Sequence, residues 1–145
     1  MITSLAHLAI IASDYERSIA FYRDILGLEE AFRVDNDDGS PWMVYFRTGP
    51  NDFIEIFAGG KEGDGPTSGR TIGIAHLCFW VDDLDKTVVD LQARGLRVNS
   101  DGIRTGRSGC RQLFIADPDG VRIELMQMLP DSMQAKALAT PFTPV

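Results

Sequence analysis

The chain of 145 residues contains two histidines, His7 and His76, and each is followed 48 positions later by a glutamate, Glu55 and Glu124. Sliding the chain along itself by 69 positions lays Ala6-His7-Leu8 on Ala75-His76-Leu77 and Ile54-Glu55-Ile56 on Ile123-Glu124-Leu125. Each carboxylate therefore lies in an apolar run, where an ionised group is costly unless it is paired, hydrogen-bonded or bound to metal. Two such costs at repeat-equivalent positions demand a common cause. Two neutral imidazoles and two carboxylates cancel the charge of a divalent cation and leave room for waters in an octahedral shell. The pattern thus predicts one divalent metal ion per site, held by His7, Glu55, His76 and Glu124, with open positions that favour catalysis. Two nitrogen and two oxygen donors suit Ni, Zn, Co, Mn or Fe alike. A competing reading pairs Glu124 with Arg122, two residues away on the same strand face, but it leaves Glu55 and both histidines unexplained.

The elements that position these residues repeat as well. Leu5 to Ala12 is an apolar run of a length that suits a strand buried on both faces, and Gly73 to Val81 is its counterpart. A helix follows each. Ser13 with Glu16 reads as a capping box ahead of Tyr15, Ile19, Tyr22 and Leu26, and Gly27 ends the stripe. In the second half Asp82 caps, with Asp85 in the first turn, and Leu84, Val88 and Leu91 form the stripe that ends near Gly95. Three short strands then follow in each half: Leu28 to Val34, Trp42 to Arg47 and Phe53 to Phe57, then Leu96 to Asn99, Gln112 to Ala116 and Val121 to Met126. Turn residues separate them, Asp35-Asn36-Asp37-Asp38-Gly39 and Asp117-Pro118-Asp119-Gly120 among them. The fold class is therefore α+β, one domain over residues 1–130 made of two βαβββ modules, 4–57 and 72–128, joined by a Gly-rich connector at 58–71. Strand parity puts His7 with Leu5, Ala9 and Ile11, His76 with Ile74, Cys78 and Trp80, Glu55 with Phe53 and Phe57, and Glu124 with Arg122 and Met126. Beyond Pro130, the tail 131–145 is expected to hold a helix from Asp131 to Ala139 capped by Asp131 or Ser132, with Met133, Ala137 and Leu138 packing on the domain or on a partner subunit.

A net charge of -7 and a pI near 4.7 repel phosphate backbones and anionic head groups, which argues against nucleic acid and membrane partners. No signal-peptide pattern opens the chain and no apolar run approaches bilayer-spanning length, so a cytoplasmic protein is expected. Cys78 and Cys110 lack zinc-finger spacing and are too few for a disulfide framework, and Cys78 shares strand parity with His76.

Leu-Ala-His7 opening a βαβββ module, Arg17-Ser-Ile-Ala-Phe-Tyr22-Arg-Asp-Ile-Leu-Gly-Leu28 on the first helix and Asp117-Pro-Asp-Gly-Val-Arg-Ile-Glu124-Leu on the last strand together resemble the vicinal oxygen chelate superfamily. The resemblance spans about residues 4 to 128. It implies two modules forming a curved, half-open mixed β-sheet barrel. Within the superfamily, His7, Glu55, His76 and Glu124 match the His-Glu-His-Glu ligand pattern of bacterial glyoxalase I (lactoylglutathione lyase). That match implies a lyase or isomerase moving a proton through a metal-bound enediolate on a small oxo substrate or its thiol adduct, with Glu124 the principal base and Glu55 the opposed carboxylate.

Two positions depart from glyoxalase I. Ile11 stands where that enzyme has an arginine, and Gly59 where it has a glutathione-binding asparagine, so the resemblance leaves the use of glutathione open. Ile11 and Trp80, then Met43, Tyr45, Gln112, Phe114 and Met126, are the candidate lining of an apolar substrate pocket. Arg104, Arg107 and Arg111 surround Gly106 and Gly109, either as an anion clamp or as a solvated basic loop. The rival readings are an Fe(II) extradiol dioxygenase using His7, His76 and Glu124, a fosfomycin-modifying enzyme, and a non-enzymatic binding or resistance protein. Glu55 is superfluous to the first two, and the last has no need of the ligand set. A homodimer is expected, with the ligand quartet completed inside one chain or by exchange between subunits.

Overall fold

The computed structural model describes residues 4–61 and 72–141, so the connector lies outside the described residues from position 62 onward. The described residues fall into two compact units, one carrying the first repeat and the other the second repeat with the C-terminal segment.

In the first unit β1 (His7–Ile11) leads into α1 (Tyr15–Ala20), which continues as a wider π-helical turn over Phe21–Ile25. Asp14 rather than Ser13 is the N-cap: it is extended (φ -127°), and its carboxylate accepts a hydrogen bond from the Arg17 N–H at 3.0 Å. Helical spacing predicts Ile19 and Tyr22 facing inward, and both are fully buried. In the π turn the Leu26 N–H reaches back five residues to the Phe21 carbonyl, and neighbouring Phe21 is buried as well. Gly27, at φ 76°, ends the helix in the left-handed region where a side chain would be strained. Strands β2 (Glu29–Asp35), β3 (Pro41–Arg47) and β4 (Phe53–Phe57) follow.

The second unit repeats this order with β5 (Leu77–Trp80) and α2 (Leu84–Ala93). Its cap is Asp83, which accepts from the Lys86 N–H, while the carbonyl of Asp82 is occupied by the Gln127 amide at 3.1 Å. Leu84, Val88 and Leu91 are buried, the stripe their spacing predicts. The strand expected over Leu96 to Asn99 does not form. The Leu96 N–H bonds back to the Leu91 carbonyl, the Gln92 amide takes the Val98 carbonyl, and Asn99 caps a 3-10 turn over Ser100–Gly102. Backbone groups consumed by the helix end and the turn are lost to a sheet. Pairing resumes in the two-residue β6 (Arg104–Thr105), then β7 (Arg111–Ala116) and β8 (Arg122–Gln127).

Each unit contains one open four-stranded mixed sheet, ordered β1-β4-β3-β2 and β5-β8-β7-β6, and neither sheet closes on itself. First and last strands pair in parallel, and the remaining pairs are antiparallel. Contrary to the expectation of a strand buried on both sides, β1 has one wet face. Ile10 joins Val44, Phe46, Ile54 and Ile56 in the core, whereas Ile11 is 67% exposed and His7 and Ala9 share its side. In the second unit Leu77, Leu113, Ile123 and Leu125 are buried and Trp80 is exposed.

The tail helix is α3 (Met133–Leu138), capped by Ser132, whose hydroxyl accepts from the Ala135 N–H. Its expected apolar side, Met133, Ala137 and Leu138, is exposed rather than packed on its own unit. Polar bonds fasten the segment instead: the Met133 N–H donates to the Ser108 carbonyl at 2.7 Å, and the Cys110 thiol to Gln134 Oε1 at 3.4 Å.

Candidate metal centre

Strand register brings each histidine to its own glutamate. In the first unit Ala9, Glu55, Tyr45 and Phe32 form one row across β1, β4, β3 and β2. His7 lies two residues before Ala9 on the same face, and its Nε2 stands 3.4 Å from Glu55 Oε2. In the second unit Cys78, Glu124 and Phe114 form the equivalent row. His76 sits one residue ahead of β5, with Nε2 2.9 Å from Glu124 Oε2. The repeat extends to the ring packing, since His7 meets Tyr45 edge-on at 6.1 Å and His76 meets Phe114 edge-on at 5.4 Å.

Both carboxylates are sequestered, at 8% and 6% side-chain exposure, and among the described residues neither has a lysine or arginine partner. The Arg122–Glu124 pair does not form; the Arg122 guanidinium lies over the Phe114 ring at 3.8 Å. Glu55 Oε1 accepts a hydrogen bond from the Tyr45 hydroxyl. That bond, with desolvation and the carboxylate charge, holds the Tyr45 phenol above its usual range, so it remains a donor at neutral pH. Cys78 is the register partner of Glu124 on β5. Although Cys78 is exposed as a residue, desolvation of its sulfur, and then the Glu124 charge and hydrogen bond, push it up to about 12.

The donor spacing fits a metal. Two donors each about 2.1 Å from one cation stand about 3.0 Å apart at a right angle and about 3.4 Å apart at the tetrahedral angle. The observed 2.9 and 3.4 Å are compatible with those values, and 2.9 Å is equally the length of an imidazole–carboxylate hydrogen bond. Each unit thus presents a two-donor half-set with its carboxylate buried and its imidazole open to solvent. Among the described residues no group of three or more His, Cys, Asp or Glu side chains is gathered at one point.

The pocket candidates sort by register. Ile11, Phe57 and Met43 lie in one row beside the Glu55 row, and Trp80, Met126 and Gln112 in the equivalent row beside Glu124. Ile11 and Trp80 are exposed, at 67% and 54%, and Met43, Tyr45, Phe114 and Met126 are half-buried. The Gln112 amide extends over Gly106 at the β6–β7 turn. The anion clamp loses two of its three arginines. Arg111 grips Asp85 of α2 with both terminal nitrogens at 2.7 and 2.9 Å, and Arg104 turns onto the carbonyls of Asp101 and Ile103. One residue of the first half-set escaped sequence reasoning: Phe32 stacks on Tyr45 at 4.4 Å. A register shift between Glu30 and Phe32 hides it, because parity counted along β2 fails at a bulge.

The chain belongs to the Glyoxalase/Bleomycin resistance protein/Dioxygenase superfamily, whose profile matches residues 4–125. Among its relatives, the ethylmalonyl-CoA/methylmalonyl-CoA epimerase of Cereibacter sphaeroides is 33% identical, with 88% of this chain and 100% of the relative covered. The probable chloroplastic lactoylglutathione lyase of Arabidopsis thaliana is 28% identical over 87% of the chain, which spans 36% of that protein. The crystal structure of SMU.1112c superimposes with a TM-score of 0.74 at 26% identity, covering 88% of this chain and 100% of that one. Among the described residues no helix is long and apolar enough to cross a membrane.

Proposed function

We propose that the protein is a metal-dependent lyase or isomerase of the glyoxalase I type that moves a proton at the carbon beside a carbonyl, on a small oxo substrate or its thiol adduct. The observation that carries this reading is the duplicated half-set: a buried carboxylate beside an open imidazole, twice, at spacings suited to one cation. His7, Glu55, His76 and Glu124 would hold the ion, the two half-sets joining within one chain or across a homodimer. When bound, a divalent metal acts as a Lewis acid that polarises the substrate oxygens and makes the neighbouring C–H more acidic.

The chain's own groups do the rest. Glu124 takes the proton from the carbon, the electron pair moves toward the carbonyl oxygen, and return of that proton to the adjacent carbon, with the hydroxyl proton passing to the former carbonyl oxygen, leaves the new carbonyl on the first carbon. Glu55 faces the substrate as the opposed carboxylate. Ile11 and Trp80, with Met43, Tyr45, Phe114 and Met126, offer apolar surface to the substrate body and keep water from the carbanion.

The likeness to the Cereibacter epimerase favours one second reading: return of the proton to the opposite side of the same carbon of an acyl thioester, for which two carboxylates serve equally well. Incubation in deuterated water with methylglyoxal–thiol adducts and with methylmalonyl-CoA, under Ni or Zn, separates the two by which substrate exchanges its α-hydrogen. Protein purified without added metal is expected to carry stoichiometric divalent metal, and Glu124→Gln to abolish exchange. Full metal retention in the His7→Ala/His76→Ala double variant would refute the site. Iron-dependent oxygen uptake with a catechol would replace the proposal with the dioxygenase.

A further inference from the structure

The two half-sets share their His-Glu pairs but differ in what holds each carboxylate. In the first unit the row reads Ala9, Glu55, Tyr45, Phe32; in the second it reads Cys78, Glu124, Phe114. A phenol donating to a carboxylate makes a strong charge-assisted bond, whereas a thiol is a weak donor and a phenyl ring donates nothing. Tyr45 is itself immobilised by three rings: Phe32 stacked at 4.4 Å, Phe53 edge-on at 5.9 Å and His7 edge-on at 6.1 Å. Glu55 therefore has Oε1 engaged by a rigid donor and Oε2 turned to His7, and rotating its carboxylate breaks the phenol bond. Glu124 has His76 on one oxygen, and its register partner on β5, Cys78, offers only a thiol.

A cation held by two equivalent half-sets has no use for this difference. Proton transfer does, because one carboxylate must swing between carrying and releasing a proton while the other keeps hold. We propose that Tyr45 is a positioning residue that fixes Glu55 as a permanent ligand, and that Phe114 at the equivalent position leaves Glu124 mobile to act as the base. This rests on the metal-dependent proton-transfer reading above.

The test uses the full-length metal-free protein titrated with Co(II) by calorimetry, with the cobalt absorption spectrum recorded on each sample. Loss of an outer partner of a metal ligand typically costs 10- to 100-fold in affinity. Tyr45→Phe is expected to weaken Co(II) binding by about 10-fold and to change the cobalt spectrum. Phe114→Tyr should tighten binding, and adding it to Tyr45→Phe should restore most of the lost affinity, a rescue that a purely structural role for Tyr45 would not produce. Cys78→Ala should change affinity by less than about 2-fold, as befits a weak thiol donor. If the wild-type protein takes up no Co(II), the metal reading fails and the division of roles falls with it. If it binds Co(II) and Tyr45→Phe and Phe114→Tyr both match its affinity and spectrum, the metal reading stands and the division of roles alone is refuted.

Discussion

Cys78 is placed where exposure and reactivity part company. A free thiol at the usual value near 9 is about one-tenth ionised at pH 8, whereas one at about 12 is ionised in about one part in ten thousand, a roughly thousand-fold deficit of thiolate. Part of that deficit is recovered, since the nucleophilicity of a thiolate rises with its pKa; a Brønsted slope of about 0.45 over three units returns about 20-fold. The expected net effect is thiol–disulfide exchange with an aromatic disulfide reagent about 50-fold slower than for an unperturbed surface thiol at pH 8. Stopped-flow reaction of the folded metal-free protein measures it, with Cys110, fully buried, silent until denaturant is added. The rate should go on rising past pH 9, where an ordinary thiol levels off, and Glu124→Gln should quicken it by removing the neighbouring charge. A folded protein whose Cys78 reacts at the ordinary rate at pH 8, or is indifferent to Glu124→Gln, would refute the account of this face.

Three further outcomes are open to measurement. Phe46 is completely buried between the first sheet and Tyr22, so Phe46→Ala should lower unfolding free energy by about 3–5 kcal/mol in a urea titration. Arg33 donates to both oxygens of Glu30 and holds its carboxyl below the usual range. The folded value is the lower one, so the pair's contribution is complete above the unfolded value near 4.5 and is lost as pH falls below it; Glu30→Gln should flatten the stability profile there. Gly60 lies so close to β1 that an added Cβ would stand 2.6 Å from the Ala12 carbonyl oxygen it already bonds, and Gly60→Ala should destabilise by about 1–3 kcal/mol in thermal melts.

The repeat was legible because the chain's two His and two of its Glu share one 69-residue offset, each Glu inside an apolar run where a charge stands out. Apolar stripes were equally plain, and Ile19, Tyr22, Leu84, Val88 and Leu91 are all buried as their spacing requires. Features set by competition among nearby polar groups were not legible. Ser13 and Asp82 are adequate caps by type, yet Asp14 and Asp83 take the role because theirs are the carboxylates three residues before an open N–H. Leu96 to Asn99 alternates like a strand, but the side chain of Gln92 and the cap at Asn99 claim its backbone first. Tyr45 passed as one apolar lining residue among several, because its hydroxyl acquires meaning only once β3 is registered against β4.

The parallel pairing of each unit's first and last strands bears on how the chain is made. In each sheet the first strand to leave the ribosome has no neighbour until the fourth strand arrives, because β1 pairs only with β4 and β5 only with β8. A nascent or truncated module can zip its internal hairpin, yet its imidazole waits without a carboxylate until the last segment is synthesised. Each His-Glu pair is thereby assembled only when its own half is complete, and an interrupted product carries the imidazole without its carboxylate.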